Sequence, residues 1–392
     1  MKKSGRNHEP GMREAGVSAF PAAESAPRRV VLVGAGHAHL FSLKRLAEFT
    51  RRGCAVTVIA PEDFWYSGLA TGVLGGHYAP EQDQVDVAAL VARGGAGARF
   101  IRGRVTALDP RAKCVRLASG ETLGYDVLSL NLGSATRPFP GESERVFAIK
   151  PLHHLWRLRQ ALEAARAAGE TPRVVIAGGG ASGCEIAANV RALCGAGAEI
   201  TLLAGGGQIA RAFPPRASAA LRRWLEAHGI SVLTDAAVSH LEGRVAVTKN
   251  GARHAFDFLV NATGLHPPAT LAEAGLPVSA RGEMLVDDCL RSTGDPHIFG
   301  GGDCVKMDGR ELAKIGVYAV RSAPTLLHNL LATLDGRPLR AFHPQRHFLL
   351  ILNLGGGCGL ASWRGFHWLG RAAFCLKDRI DRAFLARYRS PV

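Results

Sequence analysis

Two segments of this chain repeat one pattern, in which an apolar strand runs into a glycine-rich turn and then into an amphipathic helix. The first strand covers residues 30–33 and turns at Gly34-Ala35-Gly36; the second covers residues 174–177 and turns at residues 178–183. A further apolar strand follows each helix, which completes a βαβ unit. Glycine in such a turn lets a pyrophosphate reach the main-chain N–H groups at a helix N-terminus. The repeat therefore predicts a doubly wound α/β chain with two dinucleotide sites.

A third glycine-rich segment lies late in the chain, where residues 293–299 lead into Gly300-Gly301-Gly302-Asp303. It has the form of the late flavin-binding motif, in which an aspartate bonds the ribityl hydroxyls. Apolar strands also deliver glycine turns at Gly133 and Gly264. Because the Asp303 segment returns the chain to its first unit, we expect the first loop to bind FAD and the second to bind NAD(P)H.

These segments predict an α/β fold of two Rossmann-like dinucleotide-binding domains, the second inserted in the first, with a C-terminal element. We expect a disordered leader at residues 1–27 and an FAD-binding domain formed by residues 28–150 and 280–330. The NAD(P)H-binding domain is expected at residues 151–279, and the C-terminal element at residues 331–392.

The composition narrows the class of protein. No apolar run approaches the roughly 20 residues that a transmembrane helix needs, and the first 27 residues lack the apolar core of a secretory signal. The eight cysteines are scattered without metal-like spacing, so we expect no metal site and a cytoplasmic location. The net charge of +15 is not accompanied by the aromatic and basic interleaving of an RNA-binding module, so nucleic acid is not an expected partner.

Over residues 28–330 the order of these elements resembles the pyridine nucleotide-disulfide oxidoreductase superfamily. Within it, residues 178–185 and 301–304 are similar to type II NADH:quinone oxidoreductases. Other stretches are similar to the flavoprotein domain found fused to selenide, water dikinase: residues 33–39, 66–68 and 314–321. The resemblance implies an FAD-dependent NAD(P)H dehydrogenase that passes a hydride from nicotinamide to flavin and then electrons to a quinone or a similar small acceptor.

The chain also departs from its relatives. It has no Cys-x-x-x-x-Cys pair of the disulfide reductases, and no glutamine on the helix near residues 316–323, where type II quinone reductases carry them. A sulfide:quinone-type oxidoreductase is an alternative because Lys314-Ile315-Gly316 resembles a stretch of that group, although Cys184 and Cys358 form no evident pair. A non-enzymatic flavin-binding redox sensor or adaptor is the other alternative.

The resemblance implies catalytic roles for Glu185 and Lys314. Glu185 would orient the nicotinamide carboxamide, or would merely neutralise the start of its helix. Lys314, or the N-terminus of the helix after it, would face the flavin N1 and O2 edge, where negative charge develops on reduction. The alternative for Lys314 is a surface ion pair.

The remaining candidate residues are expected to contact the two nucleotides. For FAD they are Gly34, Gly36, His37, His39, Glu62, Ser67, Thr71, Gly72, Val105, Gly133, Asp303, Lys314 and Ile315. For NAD(P)H they are Gly178, Gly180, Ala181, Ser182, Gly183, Glu185 and Gly264.

The two glycine-loop units depart from the usual pattern in three ways. His39 replaces the third glycine of the first loop, so His37 and His39 are interpreted as either phosphate-side donors or packing residues. Glu62 lies two residues beyond the usual place of a ribose-binding acid. Residues 204–207 carry no acid, so the choice between NADH and NADPH stays open, with Arg211 as a candidate for a 2′-phosphate.

The C-terminal region predicts an amphipathic helix over about residues 366–389. Its apolar residues recur at helical spacing: Phe366, Leu369, Ala373, Leu376, Ile380, Phe384 and Tyr388. Residues 361–392 hold seven basic and two acidic side chains, which favours an anionic membrane surface and a peripheral location on the inner face of the cell membrane. The alternative is a helix docked on the flavin domain. The oligomeric state is open, with a homodimer as one alternative.

Overall fold

The computed structural model describes residues 26–141, 144–312 and 316–389. Residues 1–25 of the predicted leader lie outside the described residues, as do Lys314 and Ile315. Two parallel five-stranded sheets dominate the rest. Each is covered by helices, as parallel sheets require when both of their faces are buried.

The first sheet contains the strand that precedes the first glycine turn. Its spatial order is Ile298–Gly300, Val127–Leu130, Arg29–Val33, Ala55–Ala60 and Ala98–Arg102, with every pair parallel. Its central strand is buried from Val30 to Val33, which explains the unbroken apolar run in the sequence. Four helices belong to this unit, which we call the first domain: His37–Leu43, Ala47–Thr50, Val87–Ala92 and Gly316–Leu334.

The second sheet is formed entirely by residues between 146 and 261. Its order is Val146–Ala148, Phe258–Asn261, Arg173–Ala177, Glu199–Leu203 and Ile230–Leu233. Its helices, with which it forms the second domain, are His153–Ala167, Ala181–Cys194 and Pro215–Ala227. The chain leaves the first sheet after Leu130 and returns to it at Ile298, so the second sheet is an insertion. Strand Val146–Ala148 pairs in the second sheet, although the predicted boundary at residue 151 had assigned it to the first domain.

Smaller elements fill the space around the two sheets. Two antiparallel three-stranded sheets are Val105–Asp109, Cys114–Leu117 and Thr122–Gly124, and Val238–Glu242, Val245–Thr248 and Arg253–Ala255. The short paired strands are Phe64–Trp65 with Gln84–Val85, Ala135–Thr136 with Leu265–His266, and Met284–Val286 with Val305–Met307. The short helices are Ser67–Leu74, Pro80–Asp83, Thr270–Glu273 and Gly302–Cys304.

The C-terminal element is a three-stranded antiparallel sheet followed by one helix. The strands are Leu350–Asn353, Gly359–Trp363 and Phe366–Gly370, and the C-terminal helix is Arg371–Arg389. The helix predicted from residue 366 is therefore wrong over its first five residues. Gly370 has a φ of 132°, which a helix cannot continue through, so the apolar residues before it belong to a strand.

The C-terminal helix is docked on the first domain by one face. Its buried residues are Ala373, Phe374, Lys377, Asp381, Phe384, Leu385 and Tyr388. The Phe384 ring stacks on the Tyr66 ring with 4.6 Å between centroids, directly before helix Ser67–Leu74. Leu376 and Ile380 remain 37% and 45% exposed on the other face. The inner face of the helix is therefore docked, as one of the two alternatives predicted. The outer face carries exposed apolar side chains.

A search of the described ranges finds no helix whose length and apolar character would let it cross a membrane.

Replacing Phe384 with Ala should destabilise the protein by about 3 kcal/mol, because a large buried ring is lost from the contact with Tyr66. Ile380→Ala on the exposed face of the same helix should change stability by less than about 0.5 kcal/mol. Urea unfolding of both variants measures the difference. Equal, small effects would mean that the helix does not dock as described.

Candidate active site

The first glycine loop is shaped by Asn131, at the end of the neighbouring strand. Gly34 has a φ of 89°, and a Cβ there would lie 2.1 Å from the Asn131 main-chain oxygen. A Cβ on Gly36 would lie 2.5 Å from the Asn131 Oδ1. Gly36 is also the N-cap of helix His37–Leu43, and no side chain caps this helix. The loop must be glycine to pack, and it leaves a helix N-terminus that suits a pyrophosphate.

His39 has a packing role inside the first domain. It is fully buried, with Nδ1 2.6 Å from the Gly34 carbonyl oxygen and Nε2 2.8 Å from the Ser129 Oγ. Burial lowers its pKa to about 4. Because both ring nitrogens already have partners in the protein, the prediction of a direct cofactor contact by His39 is not supported. The ring instead ties the glycine turn to the strand beside it.

Asp303 lies in a polar cluster that the sequence did not predict in full. Its Oδ2 accepts a hydrogen bond from the Ser134 Oγ at 2.8 Å and forms an ion pair with Lys150. The Lys150 ammonium also lies 3.3 Å from the Ser134 Oγ. Lys150 and Ser134 belong to no recognisable motif, and only the folded chain brings them to Asp303. The group fits a ligand with several hydroxyls, as the ribityl chain of FAD has.

His37, unlike His39, is only partly buried and lies next to this cluster. Its Nε2 is 3.4 Å from the Ser67 Oγ, and its ring meets the Phe64 ring edge-on at 4.9 Å. Burial and the nearby Lys150 charge lower the pKa of His37 to about 4, so it is neutral at physiological pH. A Cβ on Gly316, the first residue of helix Gly316–Leu334, would lie within 3.9 Å of both His37 and Ser67. The N-terminus of that helix therefore opens onto the same place.

We call His37, Ser67, Ser134, Lys150 and Asp303 the flavin-side cluster. Thr71 and Gly72 lie deeper. Thr71 is buried, and its Oγ1 has no hydrogen-bond partner among the described residues. A Cβ on Gly72 would lie 2.4 Å from the Tyr78 ring, so Gly72 is glycine because it packs against that ring. The segment thus presents Ser67 to the cluster and buries the other two predicted contacts behind it.

Three other predicted FAD contacts lie at the carboxyl-terminal edge of the first sheet. Gly133 follows strand Val127–Leu130 with a φ of 68°. Glu62 follows strand Ala55–Ala60, and its Oε2 lies 2.6 Å from the His153 Nδ1. Half-buried Val105 follows strand Ala98–Arg102. This edge is where open α/β sheets bind their ligands.

The second glycine loop is packed on one side and open on the other. A Cβ on Gly178 would lie 2.4 Å from the Ala262 oxygen, and one on Gly183 would lie 1.8 Å from the Gly178 oxygen. Gly180, the N-cap of helix Ala181–Cys194, has no described atom within 4 Å of such a Cβ, and the same holds for Gly264. No side chain caps this helix. Its first turn, which includes Ala181 and Ser182, therefore faces space that can hold a pyrophosphate.

Glu185 lies one turn into this helix and faces the C-terminal element. Its Oε1 accepts a hydrogen bond from the Asn353 main-chain N–H at 2.6 Å. Burial raises the pKa of Glu185 to about 7, although the positive charge of Lys377 opposes the shift. Glu185 can therefore exchange a proton near neutral pH. Its main-chain partner lies in the C-terminal element, which no sequence motif indicated.

The loop after strand Glu199–Leu203 contains both kinds of charge. A Cβ on Gly206 would lie 3.4 Å from the Arg211 guanidinium, and one on Gly207 would lie 3.7 Å from the Asp235 carboxylate. Asp235 follows the neighbouring strand Ile230–Leu233. The structure therefore leaves the choice between NADH and NADPH open.

The cysteines of the described chain do not form a redox pair. None of the eight forms a disulfide within the described ranges, and burial raises the pKa of Cys184 to about 12 and also raises that of Cys358. A thiolate is the reactive form of cysteine, so neither thiol is activated. Within the described ranges no group of three or more potential metal ligands occurs.

Comparison with known proteins identifies the family to which the chain is similar. A family profile described as pyridine nucleotide-disulphide oxidoreductase matches residues 28–326. The NADH dehydrogenase-like protein YutJ of Bacillus subtilis is 25% identical over 366 residues, which cover 90% of this chain and 97% of that protein. The structure of NDH2 from Plasmodium falciparum in complex with NADH has a TM-score of 0.76 at 14% identity, covering 93% of this chain and 99% of NDH2. The sulfide:quinone oxidoreductase of Aquifex aeolicus has a TM-score of 0.75 at 18% identity, covering 92% and 91%.

These matches confirm the predicted superfamily and the fold with two Rossmann-like domains. FAD and NAD(P)H are the cofactors of this family, so the predicted cofactors are confirmed as well. The chain is a pyridine-nucleotide-dependent flavin oxidoreductase. The likeness to the two solved structures supports the fold alone and does not identify the electron acceptor.

Replacing Asp303 with Ala should weaken FAD binding, because the ribityl chain loses a charged hydrogen-bond partner worth about 1.5–3 kcal/mol. This corresponds to about a 10- to 100-fold rise in the dissociation constant. Flavin absorbance after dialysis, followed by titration of the apoprotein with FAD, measures the change. Asp308→Ala, at an exposed aspartate nearby, is the control and should bind FAD as the parent does. Unchanged FAD affinity in Asp303→Ala would remove Asp303 from the site.

Proposed function

The chain belongs to the pyridine nucleotide-disulphide oxidoreductase family, and on this basis we propose that it is an FAD-dependent NAD(P)H dehydrogenase that reduces a quinone or a similar small acceptor. The chemistry that FAD would supply when bound is acceptance of a hydride from nicotinamide and transfer of its electrons to the acceptor. The first domain would hold FAD, and the inserted second domain would hold NAD(P)H.

One observation carries this proposal: helix Ser67–Leu74 links the flavin-side cluster to the second domain. Ser67, at its start, lies 3.4 Å from His37. Gly68, the next residue, accepts a hydrogen bond from Lys377 of the C-terminal helix, and Val73 near the end of the same helix accepts one at 3.0 Å from Arg159 of the second-domain helix His153–Ala167. On this proposal the two nucleotides would be bound on either side of this helix, as direct transfer between them requires.

We assign the following roles to individual residues. The uncapped N-termini after Gly36 and Gly180 would bind the two pyrophosphates through main-chain N–H groups. Asp303, held by Lys150 and Ser134, would accept hydrogen bonds from the ribityl hydroxyls. Glu185, when ionised, would accept a hydrogen bond from the nicotinamide carboxamide. Lys314, which lies outside the described residues, and the helix N-terminus at Gly316 would stabilise negative charge on the reduced flavin.

The acceptor is proposed from the surface of the C-terminal element. Six large apolar side chains of this element are exposed, and we call them the apolar surface: Trp363, Phe366, Trp368, Leu369, Leu376 and Ile380. Arg364 lies in the turn between the last two strands, and Arg371 and Arg379 lie on the C-terminal helix. Aromatic side chains flanked by arginines suit the interface of an anionic membrane, which is where a lipid-soluble quinone is found. Peripheral binding would thus bring the enzyme to its acceptor.

The sulfide alternative and the sensor alternative have less support. Sulfide oxidation of that type needs two redox cysteines, and the pKa values of Cys184 and Cys358 are raised rather than lowered. A sensor would not need the open second loop. Neither alternative is proposed.

Anaerobic mixing with NADH or NADPH tests the proposed reaction. We expect rapid bleaching of the flavin absorbance, followed by its return when a short-chain quinone is added. Ferricyanide serves as a general acceptor control. Bleaching without reoxidation by any quinone would leave a dehydrogenase with another acceptor, and no bleaching by either nucleotide would contradict the function as a whole.

Gly180→Val should keep FAD and the fold but lose reduction by NAD(P)H. A Cβ at this position has no described protein atom within 4 Å, so we expect the side chain to act by holding the pyrophosphate away from the helix N-terminus. A displacement of this kind can lower the reduction rate by about 10²-fold. Gly180→Ala should have a smaller effect in the same direction. Stopped-flow reduction measures both, and normal rates in Gly180→Val would assign the second loop to something other than the nicotinamide nucleotide.

Phe366→Ser should reduce binding to anionic vesicles without changing stability, since this side chain is 78% exposed. Loss of one buried aromatic contact with lipid corresponds to about a tenfold weaker partition. Leu233→Ser, at a 37% exposed leucine of the second domain, is the control and should have no effect. Vesicle sedimentation at low and high salt measures both affinity and screening. Vesicle binding that is absent in the parent protein, or equal in all three proteins, would contradict the membrane proposal.

A further inference from the structure

Asn189 joins the helix that follows the second glycine loop to the C-terminal element. It lies one turn after Glu185 on helix Ala181–Cys194. The Asn189 Nδ2 donates a hydrogen bond to the Glu185 main-chain oxygen at 2.8 Å and another to the Asn353 main-chain oxygen at 3.0 Å. Both asparagines are buried, and Asn353 is the last residue of strand Leu350–Asn353. The Asn189 side chain therefore crosslinks two main chains in the interior.

The same strand end also holds the Glu185 side chain. The Asn353 main-chain N–H donates a hydrogen bond to the Glu185 Oε1 at 2.6 Å. Both main-chain polar groups of Asn353 are therefore bonded to one helix, the N–H to the Glu185 carboxylate and the oxygen to the Asn189 amide. We call the Asn189 side chain and the Asn353 main chain the asparagine clamp. It fixes one oxygen of the Glu185 carboxylate and leaves the other for a ligand.

The amide of Asn189 is needed as a hydrogen-bond donor. Both of its partners are carbonyl oxygens, which only accept, so the NH₂ group must lie between them. The Asn189 Oδ1 is buried and has no partner among the described residues. A buried acceptor without a partner destabilises the folded protein, and a leucine of similar size would avoid that loss if the position served packing alone.

Two close approaches of the main chain keep the clamp in place. A Cβ on Gly75, the C-cap of helix Ser67–Leu74, would lie 2.4 Å from the Asn189 Oδ1. A Cβ on Gly355, just after the strand, would lie 2.5 Å from the Ala192 Cβ on the same helix as Asn189. Glycine at both positions lets the neighbouring segments pack directly on this helix. The clamp is therefore held from two other parts of the chain.

From this geometry we propose that Asn189 is a positioning residue of the nicotinamide site: its amide fixes the main chain of Asn353, whose N–H in turn holds the Glu185 carboxylate in place to accept a hydrogen bond from the nicotinamide carboxamide. A glutamate side chain that rotated freely would lose conformational entropy when it made this bond. The inference rests on the proposed function, in which Glu185 contacts the carboxamide.

Asn189→Ser separates the two hydrogen bonds of the amide. A serine hydroxyl within a helix can donate to the carbonyl oxygen four residues earlier, so the Glu185 main-chain oxygen keeps a partner. The shorter side chain should not reach the Asn353 oxygen, and the clamp should open.

Asn329→Ser is the matched control. Asn329 is also fully buried on a helix, and its Nδ2 also donates to two main-chain oxygens, those of Cys289 at 2.7 Å and Arg340 at 2.8 Å. None of these residues belongs to the second domain. The control therefore removes the same kind of crosslink at a distance from the second glycine loop.

The measurement is stopped-flow reduction of the FAD-loaded protein over a range of nucleotide concentrations, using NADH or NADPH, whichever reduces the parent faster. It gives the dissociation constant and the limiting rate separately. Asn189→Ser should raise the dissociation constant and lower the limiting rate, so that the ratio of rate to dissociation constant falls about tenfold, as for one hydrogen bond to a charged group. Asn329→Ser should keep the parent ratio, and both variants should keep the parent affinity for FAD.

A double-mutant cycle separates positioning from packing. Glu185→Ala removes the carboxylate on which the clamp is proposed to act. If Asn189 acts through that carboxylate, Asn189→Ser should cause no further loss in the Glu185→Ala background. If Asn189 only supports the fold, the two losses should multiply, and a double variant about tenfold worse than Glu185→Ala would overturn the inference.

The outcomes also distinguish the inference from the proposed function. A parent protein that neither nucleotide reduces would contradict the function itself. If Glu185→Ala is reduced as the parent is, the inference fails while the dehydrogenase activity stands. Equal losses in Asn189→Ser and Asn329→Ser would indicate general loosening and would also overturn it. Should Asn189→Ser not retain FAD, Asn189→Thr, which fills more of the same space, takes its place in the cycle, and loss of FAD in both would assign Asn189 to the fold alone.

Discussion

Asn131 is the contact on which the first nucleotide site depends, because it joins three segments that are distant in the sequence. Its main-chain oxygen and its Oδ1 set the space beside Gly34 and Gly36. Its Nδ2 donates a hydrogen bond to the Gly301 oxygen at 2.7 Å. The glycine turn, the strand that ends at Leu130 and the Asp303 segment therefore have one relative position. These contacts help to hold Asp303 at one distance from the helix N-terminus after Gly36.

The parts of this arrangement that are local in sequence could be predicted. A glycine turn between a strand and a helix is specified by adjacent residues, so both βαβ units and the insertion of the second domain followed from pattern alone. The strand Val146–Ala148 could not be predicted in this way. Its three half-buried residues are too few to show the periodicity that would assign them to a sheet. The helix was predicted to begin at residue 366 because Phe366 and Leu369 are three residues apart, a spacing that fits a helix. The backbone at Gly370 shows instead that a strand ends there.

The site residues that sequence reasoning missed all depend on long-range packing. Lys150 lies 153 residues from Asp303, and Ser134 lies 169 residues from it. No spacing rule covers such pairs, because their meeting depends on the whole fold. His39 was ambiguous for a different reason. A histidine at a helix start can serve a ligand or the core, and only its two contacts, to Gly34 and Ser129, decide in favour of the core.

The two faces of the C-terminal helix have different surroundings. One face carries Leu376 and Ile380 to the surface, and the other holds Lys377 against Gly68. Residues 376 and 377 are adjacent, so a helix whose outer face entered a lipid interface could not move far without changing the position of the ammonium. Docking and membrane contact are therefore compatible properties of one helix.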